Sequence, residues 1–218
     1  MNSRNCMILI SGGARSGKSA FAEALAETIA ETRRSAGPIA YIATGQAMDD
    51  EFQERIAAHR RRRGERFFTL EEPLLLARAI DQVAQDYDVI MVECIPTWLG
   101  NLYHHESLAK VPNRLARLAD HLDRHWASGG TPPADPDREM ARQFLSGNSP
   151  APQPPMLGPV LAASRVLLVV TNETGLGLVP ATPEGRRFRD DLGWINQRLA
   201  TAAQAFFFSM AGVVRRIK

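Results

Sequence analysis

Cysteine is nearly absent: two residues in 218 cannot staple a fold. Cys6 and Cys94 each sit in an apolar run and share no metal-ligand spacing, which points to buried reduced thiols. Excess charge of one sign is equally scarce. With 26 Lys and Arg against 24 Asp and Glu, the net +2 is too small to argue for nucleic acid as a partner. No run approaches the roughly 18 uninterrupted apolar residues of a membrane helix. The run Cys6–Ile10, behind a polar start, is much shorter than a signal-peptide core plus cleavage site. A cytoplasmic protein with no membrane span is expected. What the chain does have is core-forming material, 44% hydrophobic, in a length that suits one domain over 1–218.

Proline is unevenly spread. Between Ser128 and Pro159 the sequence carries Gly129-Gly130-Thr131-Pro132-Pro133 and Pro150-Ala151-Pro152-Gln153-Pro154-Pro155. That density excludes helix and central strand, so residues 128–159 read as a surface excursion around one short helical piece, Asp137–Leu145.

Elsewhere short β-rich runs alternate with longer amphipathic segments. Strands are expected at Cys6–Ser11, Ile39–Ala43, Val89–Glu93, Val166–Thr171 and Ala205–Met210, mostly as near-continuous apolar runs of the kind covered on both faces. Helices are expected at about Lys18–Arg33, Asp50–Arg63, Pro73–Gln85, Pro112–Trp126 and Pro183–Ala203, with Pro73, Pro112 and Pro183 in first turns where a missing amide matters little. The tail Val213–Ile217 follows Gly212 and suggests an edge strand closed by a hairpin. This order predicts an α/β, P-loop NTPase-type three-layer fold with a mainly parallel sheet and an antiparallel edge strand.

The most specific stretch is "ILISGGARSGKS", residues 8–19. Gly12, Gly13, Ala14, Arg15, Ser16, Gly17, Lys18 and Ser19 satisfy G-x-x-x-x-G-K-[ST], directly after a predicted strand and opening a predicted helix. Glycines let successive amides turn inward onto phosphate oxygens, Lys18 would reach the β- and γ-phosphates, and the Ser19 hydroxyl would hold Mg²⁺. A second carboxylate for that metal is needed at a strand end, and Glu93 ends Val89–Glu93. Thr171-Asn172-Glu173 ends another apolar run in the same way, ahead of Gly175 and Gly177. By spacing alone it reads equally as a turn or as a ligand contact.

Residues 49–63 read as a helix with acidic residues first and arginines last, which suits the helix dipole. Phe52, Ile56 and His59 share a face by i, i+4, i+7 spacing, so a core histidine is one reading. The other starts from Arg55 and Arg60–Arg63, which form an anion site and would keep His59 neutral and nucleophilic. His121 and His125, at i and i+4, read as a solvated helix face rather than a metal pair.

With these pieces placed, the chain resembles the bifunctional adenosylcobinamide kinase / adenosylcobinamide-phosphate guanylyltransferases of cobalamin biosynthesis. The likeness rests on "ILISGGARSGKS", "YIATGQAMDDEFQERIAAHR", "TLEEP", "VECIPTWLGN", "VTNETGLGLVP" and "FRDDLGWINQRLA" in this order. The resemblance implies ATP- or GTP-dependent phosphorylation of adenosylcobinamide. GMP from GTP is then transferred to adenosylcobinamide phosphate by way of a guanylylated histidine. The matching histidine is His59, with Lys18, Glu93 and Arg55 as its catalytic companions. Arg60, Asn172 and Glu173 fall on the nucleotide side, and Arg189, Asp190, Asn196 and Gln197 near the pocket. It also implies a homotrimer. Phe67 stands where relatives often carry tryptophan. The main rival is a small-molecule P-loop kinase with no nucleotidyl transfer and a structural His59. An RNA-binding module built on Arg60–Arg63 lacks the aromatic-basic surface it would need.

Overall fold

A computed structural model of the chain describes residues 5–35, 37–46, 64–127, 160 and 162–218. The expected helix at 50–63, with Arg55, His59 and Arg60, lies outside the described residues, as does the excursion 128–159 with its helical piece 137–145.

Seven strands form one sheet: β1 (Cys6–Gly12), β2 (Ile39–Ala43), β3 (Phe67–Glu71), β4 (Val89–Glu93), β5 (Val166–Val170), β6 (Ala205–Met210) and β7 (Val213–Arg216). Their order is β3-β2-β4-β5-β1-β6-β7. Every neighbouring pair is parallel except β6 with β7. That last pair is a hairpin whose two-residue turn, Ala211 at φ 51° and Gly212 at φ 79°, matches the right-handed twist of its strands. The predicted parallel sheet and antiparallel edge are both present.

The central strands β1, β2, β4 and β5 are apolar on both faces because helices cover both. Met7, Leu9, Ile42, Ile90, Val92, Leu167 and Val169 face one way and pack under α2 (Leu76–Val83), α3 (Ile95–His105), α4 (Val111–His125) and α5 (Pro183–Ala202). The alternate residues Ile8, Ile10, Tyr41, Met91, Leu168 and Val170 face the other way, onto Ala22, Ala26, Ile29 and Ala30 of α1 (Lys18–Arg33). The period of two along each strand divides the core into two compartments.

Several expected boundaries shift. α2 begins at Leu76, leaving Pro73 outside the helix. The Glu72 carboxylate accepts from the amides of Leu74 (2.9 Å) and Leu75 (2.8 Å), which makes a turn where a first helical turn was expected. Pro112 and Pro183 do lie in first turns, and Thr182 caps α5 by accepting from the Gly185 amide at 3.1 Å. β3 and α3 are additions to the expected elements.

Candidate active site

Strand register sets the site. Ile10 of β1 and Glu93 of β4 both pair with Val170 of β5, and Gly12 pairs with Ser209 of β6. The phosphate-loop glycine, Glu93 and the turn after β5 therefore share the carboxyl edge of the sheet, where ligands of such sheets bind.

The loop has the backbone its motif requires. Gly12 holds φ 151°, and a Cβ there would lie 2.2 Å from the Ser209 carbonyl oxygen, so only glycine fits. Gly17, at φ 93° and ψ 0°, starts α1 without a side-chain cap, and no acidic residue occupies the helix's first turn. The leading amides are left for an anion, with the positive end of the helix dipole behind them. Lys18 folds back so that Nζ donates to the Gly13 carbonyl at 3.2 Å. The Ser16 hydroxyl is buried and has no hydrogen-bond partner among the described residues. Gly13, Ala14 and Arg15 form the exposed crest.

Glu93 reaches this loop from two strands away, with β5 between. α1 leans across the sheet, and Ser19 Oγ donates to Glu93 Oε1 at 2.6 Å. Glu93 is held from behind by a residue that sequence reasoning quoted but did not assign. Buried Thr44, just past β2, accepts from the Cys94 amide at 2.8 Å. Its Oγ1 also lies within hydrogen-bond distance of the Glu93 and Cys94 carbonyls. Asn101 of α3 donates to the Thr44 carbonyl at 2.7 Å and to that of Pro73 at 3.1 Å. Cys94, rather than Glu93, takes the cap position of α3.

The turn after β5 adjoins the loop through its backbone. Glu173 donates its amide to the Gly12 carbonyl at 3.2 Å, while its carboxylate bends back to accept from the Gly175 amide at 3.1 Å. Asn196 of α5 fixes this turn, accepting from Thr171 Oγ1 at 2.7 Å and donating to the Asn172 carbonyl at 2.9 Å. Asn172 Oδ1 is buried without a hydrogen-bond partner among the described residues. Arg189 pairs with Asp190 at 3.2 Å, and Gln197 is exposed.

The structure thus brings together Gly12 through Ser19, Glu93, Asn172 and Glu173. His121 departs from the solvated face expected of it: it is buried, with Nε2 3.2 Å from Asp81 Oδ1, because α4 turns that face toward α2. Both thiols are free; burial pushes Cys6 up to about 11 and raises Cys94 too, which keeps them protonated and inert. No described helix is long and apolar enough to cross a membrane.

The family model described as cobinamide kinase / cobinamide phosphate guanyltransferase matches residues 8–128 and 153–217. The bifunctional adenosylcobalamin biosynthesis protein CobP of Pseudomonas aeruginosa is 37% identical, with 96% of each chain covered. The bifunctional adenosylcobalamin biosynthesis proteins CobU of Escherichia coli and Salmonella typhimurium are 32% and 34% identical, each over 97% of this chain and 99% of theirs. With matches this extensive around a formed phosphate loop, the chain belongs to the cobinamide kinase / cobinamide phosphate guanyltransferase family.

Proposed function

We propose that this chain phosphorylates adenosylcobinamide with ATP or GTP and then converts the product to adenosylcobinamide-GDP with a second nucleotide. One observation carries the reading: a family match along nearly the whole chain coincides with a phosphate loop whose Ser19 and Glu93 are already in contact at 2.6 Å.

In the kinase step, the substrate hydroxyl oxygen attacks the γ-phosphorus. The bond from that phosphorus to the β,γ-bridging oxygen breaks, the hydroxyl proton passes to solvent, and the nucleoside diphosphate leaves. The protein's share is positioning and charge: amides of residues 12–19 and Lys18 hold the phosphates. The Ser16 hydroxyl, buried with no hydrogen-bond partner among the described residues, supplies a further donor to them. Ser19 and Glu93 also fit Mg²⁺. Both side chains offer hard oxygen donors, and their contact at 2.6 Å places them together where they would hold the ion. When bound, Mg²⁺ would neutralise charge developing on the phosphates.

In the transfer step, an imidazole nitrogen of His59 attacks the α-phosphorus of GTP and the bond to the β-phosphate oxygen breaks, releasing pyrophosphate. A phosphate oxygen of adenosylcobinamide phosphate then displaces His59 from that phosphorus. Arg55 and Arg60 are assigned to stabilise the departing pyrophosphate, and Asn172 and Glu173 to line the nucleotide side. The resemblance also supports a cytoplasmic homotrimer. Exposed Leu176, Leu178 and Val179, just beyond Glu173, are apolar surface that such an assembly could cover.

Intact-mass measurement after GTP exposure tests both halves. The wild-type chain should gain one acid-labile GMP, and His59→Ala should gain none while still phosphorylating adenosylcobinamide. Lys18→Ala should lose phosphorylation by a factor of about 100 or more. A His59→Ala chain that still takes up GMP would remove His59 from the mechanism and leave the transfer without its nucleophile.

A further inference from the structure

The C-terminal hairpin reaches back to the phosphate loop. Ser209 of β6 is fully buried, and its hydroxyl donates to the Ser16 carbonyl at 2.7 Å, across 193 residues of sequence. The Gly212 amide, in the β6–β7 turn, donates to the same carbonyl at 3.1 Å. Both donors converge on one backbone oxygen within the loop.

A trans peptide is planar, so its carbonyl and its N–H point in opposite directions. Holding the Ser16 carbonyl toward the hairpin turns the Gly17 N–H the opposite way, away from the hairpin. Without those two donors this peptide could rotate easily. Gly17 tolerates nearly any φ, and its own conformation, φ 93°, is one that few residues adopt unaided. The same Ser209 also bounds the loop's entrance, because its carbonyl oxygen occupies the space that a Cβ on Gly12 would need. One residue of β6 therefore touches both ends of the loop.

We propose that Ser209 is a positioning residue for nucleotide binding: it aims the Gly17 amide at the phosphates by fixing the Ser16 carbonyl. The Gly212 amide assists it. This rests on the reading of residues 12–19 as a nucleotide site, and it adds a contributor that lies outside the loop motif.

The test compares GTP with GMP, since an amide aimed into the loop acts on the outer phosphates rather than on the base. Binding of both nucleotides to wild type, Ser209→Ala and Ser209→Thr is measured by equilibrium dialysis in the presence of Mg²⁺, with GTP supplied as its α,β-methylene analogue, which presents the same phosphates but cannot guanylylate the protein. In Ser209→Ala the GTP dissociation constant should rise about tenfold, as expected for one lost buried hydrogen bond, while that of GMP stays unchanged. Ser209→Thr, which keeps the hydroxyl, should recover most of the GTP affinity. Unchanged GTP affinity in Ser209→Ala overturns the proposal. So does an equal loss for GTP and GMP, which would mark a general loosening of the fold. A wild-type chain that binds no GTP would instead refute the nucleotide-site reading, and the proposal with it.

Discussion

Thr44 shows how much a single hydroxyl controls at this site. Its Oγ1 is the hydrogen-bond partner of the Cys94 amide and lies against two successive carbonyls at the carboxyl end of β4. Thr44→Val keeps the shape and removes those bonds, leaving a buried amide orphaned at a cost of about 1–3 kcal/mol. The backbone that carries Glu93 should then wander relative to Ser19. We expect the Mg²⁺ concentration for half-maximal kinase activity to rise several-fold in Thr44→Val and to return in Thr44→Ser. Identical Mg²⁺ titrations for all three proteins would dismiss Thr44 as a support for Glu93. The phosphate loop was legible in the sequence because its eight residues are contiguous, with glycines, a lysine and a hydroxyl at fixed spacing between a strand and a helix. Thr44 and Ser209 were not, because their partners lie 50 and 193 residues away and no local pattern marks them. Asn196 was placed near the pocket by the family likeness, but its role in fixing the turn was not, its partner Thr171 being 25 residues away. His59, Arg55 and Arg60 still rest on their motif.

Among elements, the central strands could be read in advance and the irregular ones could not. β1, β4 and β5 are short apolar runs between breakers, and being buried on both faces leaves them that single signature. β3 is an edge strand of mixed exposure, with too little pattern in Phe67–Glu71 to stand out. Pro96 of α3 lies in the first turn, where it costs little, but Gly100 in the interior and the lack of a side-chain cap argue against helix locally. Trp98, Leu99 and Leu102, all buried, outweigh them through packing, and Trp98 Nε1 donates to the Leu74 carbonyl at 3.0 Å. α5 was expected from its proline start and amphipathic face, yet the feature that ties it to the site is polar. Asn196 joins the helix to the turn after β5 by two bonds. In Asn196→Ala the Thr171 hydroxyl and the Asn172 carbonyl lose their partner, which should lower stability by about 2–4 kcal/mol. Leu192, Ile195 and Leu199 would keep α5 docked. Urea unfolding should therefore show an earlier midpoint with an unchanged slope and an unaltered far-ultraviolet circular dichroism spectrum. Loss of helical signal would mean that Asn196 holds the helix itself rather than the turn.

For the molecule as a whole, acid sensitivity follows from one buried imidazole in the helical layer. His121 of α4 is 8% exposed and faces Asp81 of α2. Burial lowers its pKa; the Asp81 carboxylate pulls the other way, and His125 and Arg124 on its own helix add to the lowering. The folded chain thus prefers the neutral ring, whereas the unfolded chain takes up a proton near the ordinary value of about 6.5. As pH falls below that point the unfolded state binds more protons than the folded one, so stability falls with it. The contribution is complete above about pH 6.5, declines as pH drops, and stops changing once the folded-state ring also protonates. Carboxylates add their own acid sensitivity at lower pH, so the comparison has to be with a variant. We expect the wild-type urea midpoint to fall between pH 7.5 and 5.5, and His121→Gln to show a distinctly shallower fall over the same range. Parallel slopes would mean that the ring between α2 and α4 titrates alike in both states, and that some other group sets the acid limit of this fold.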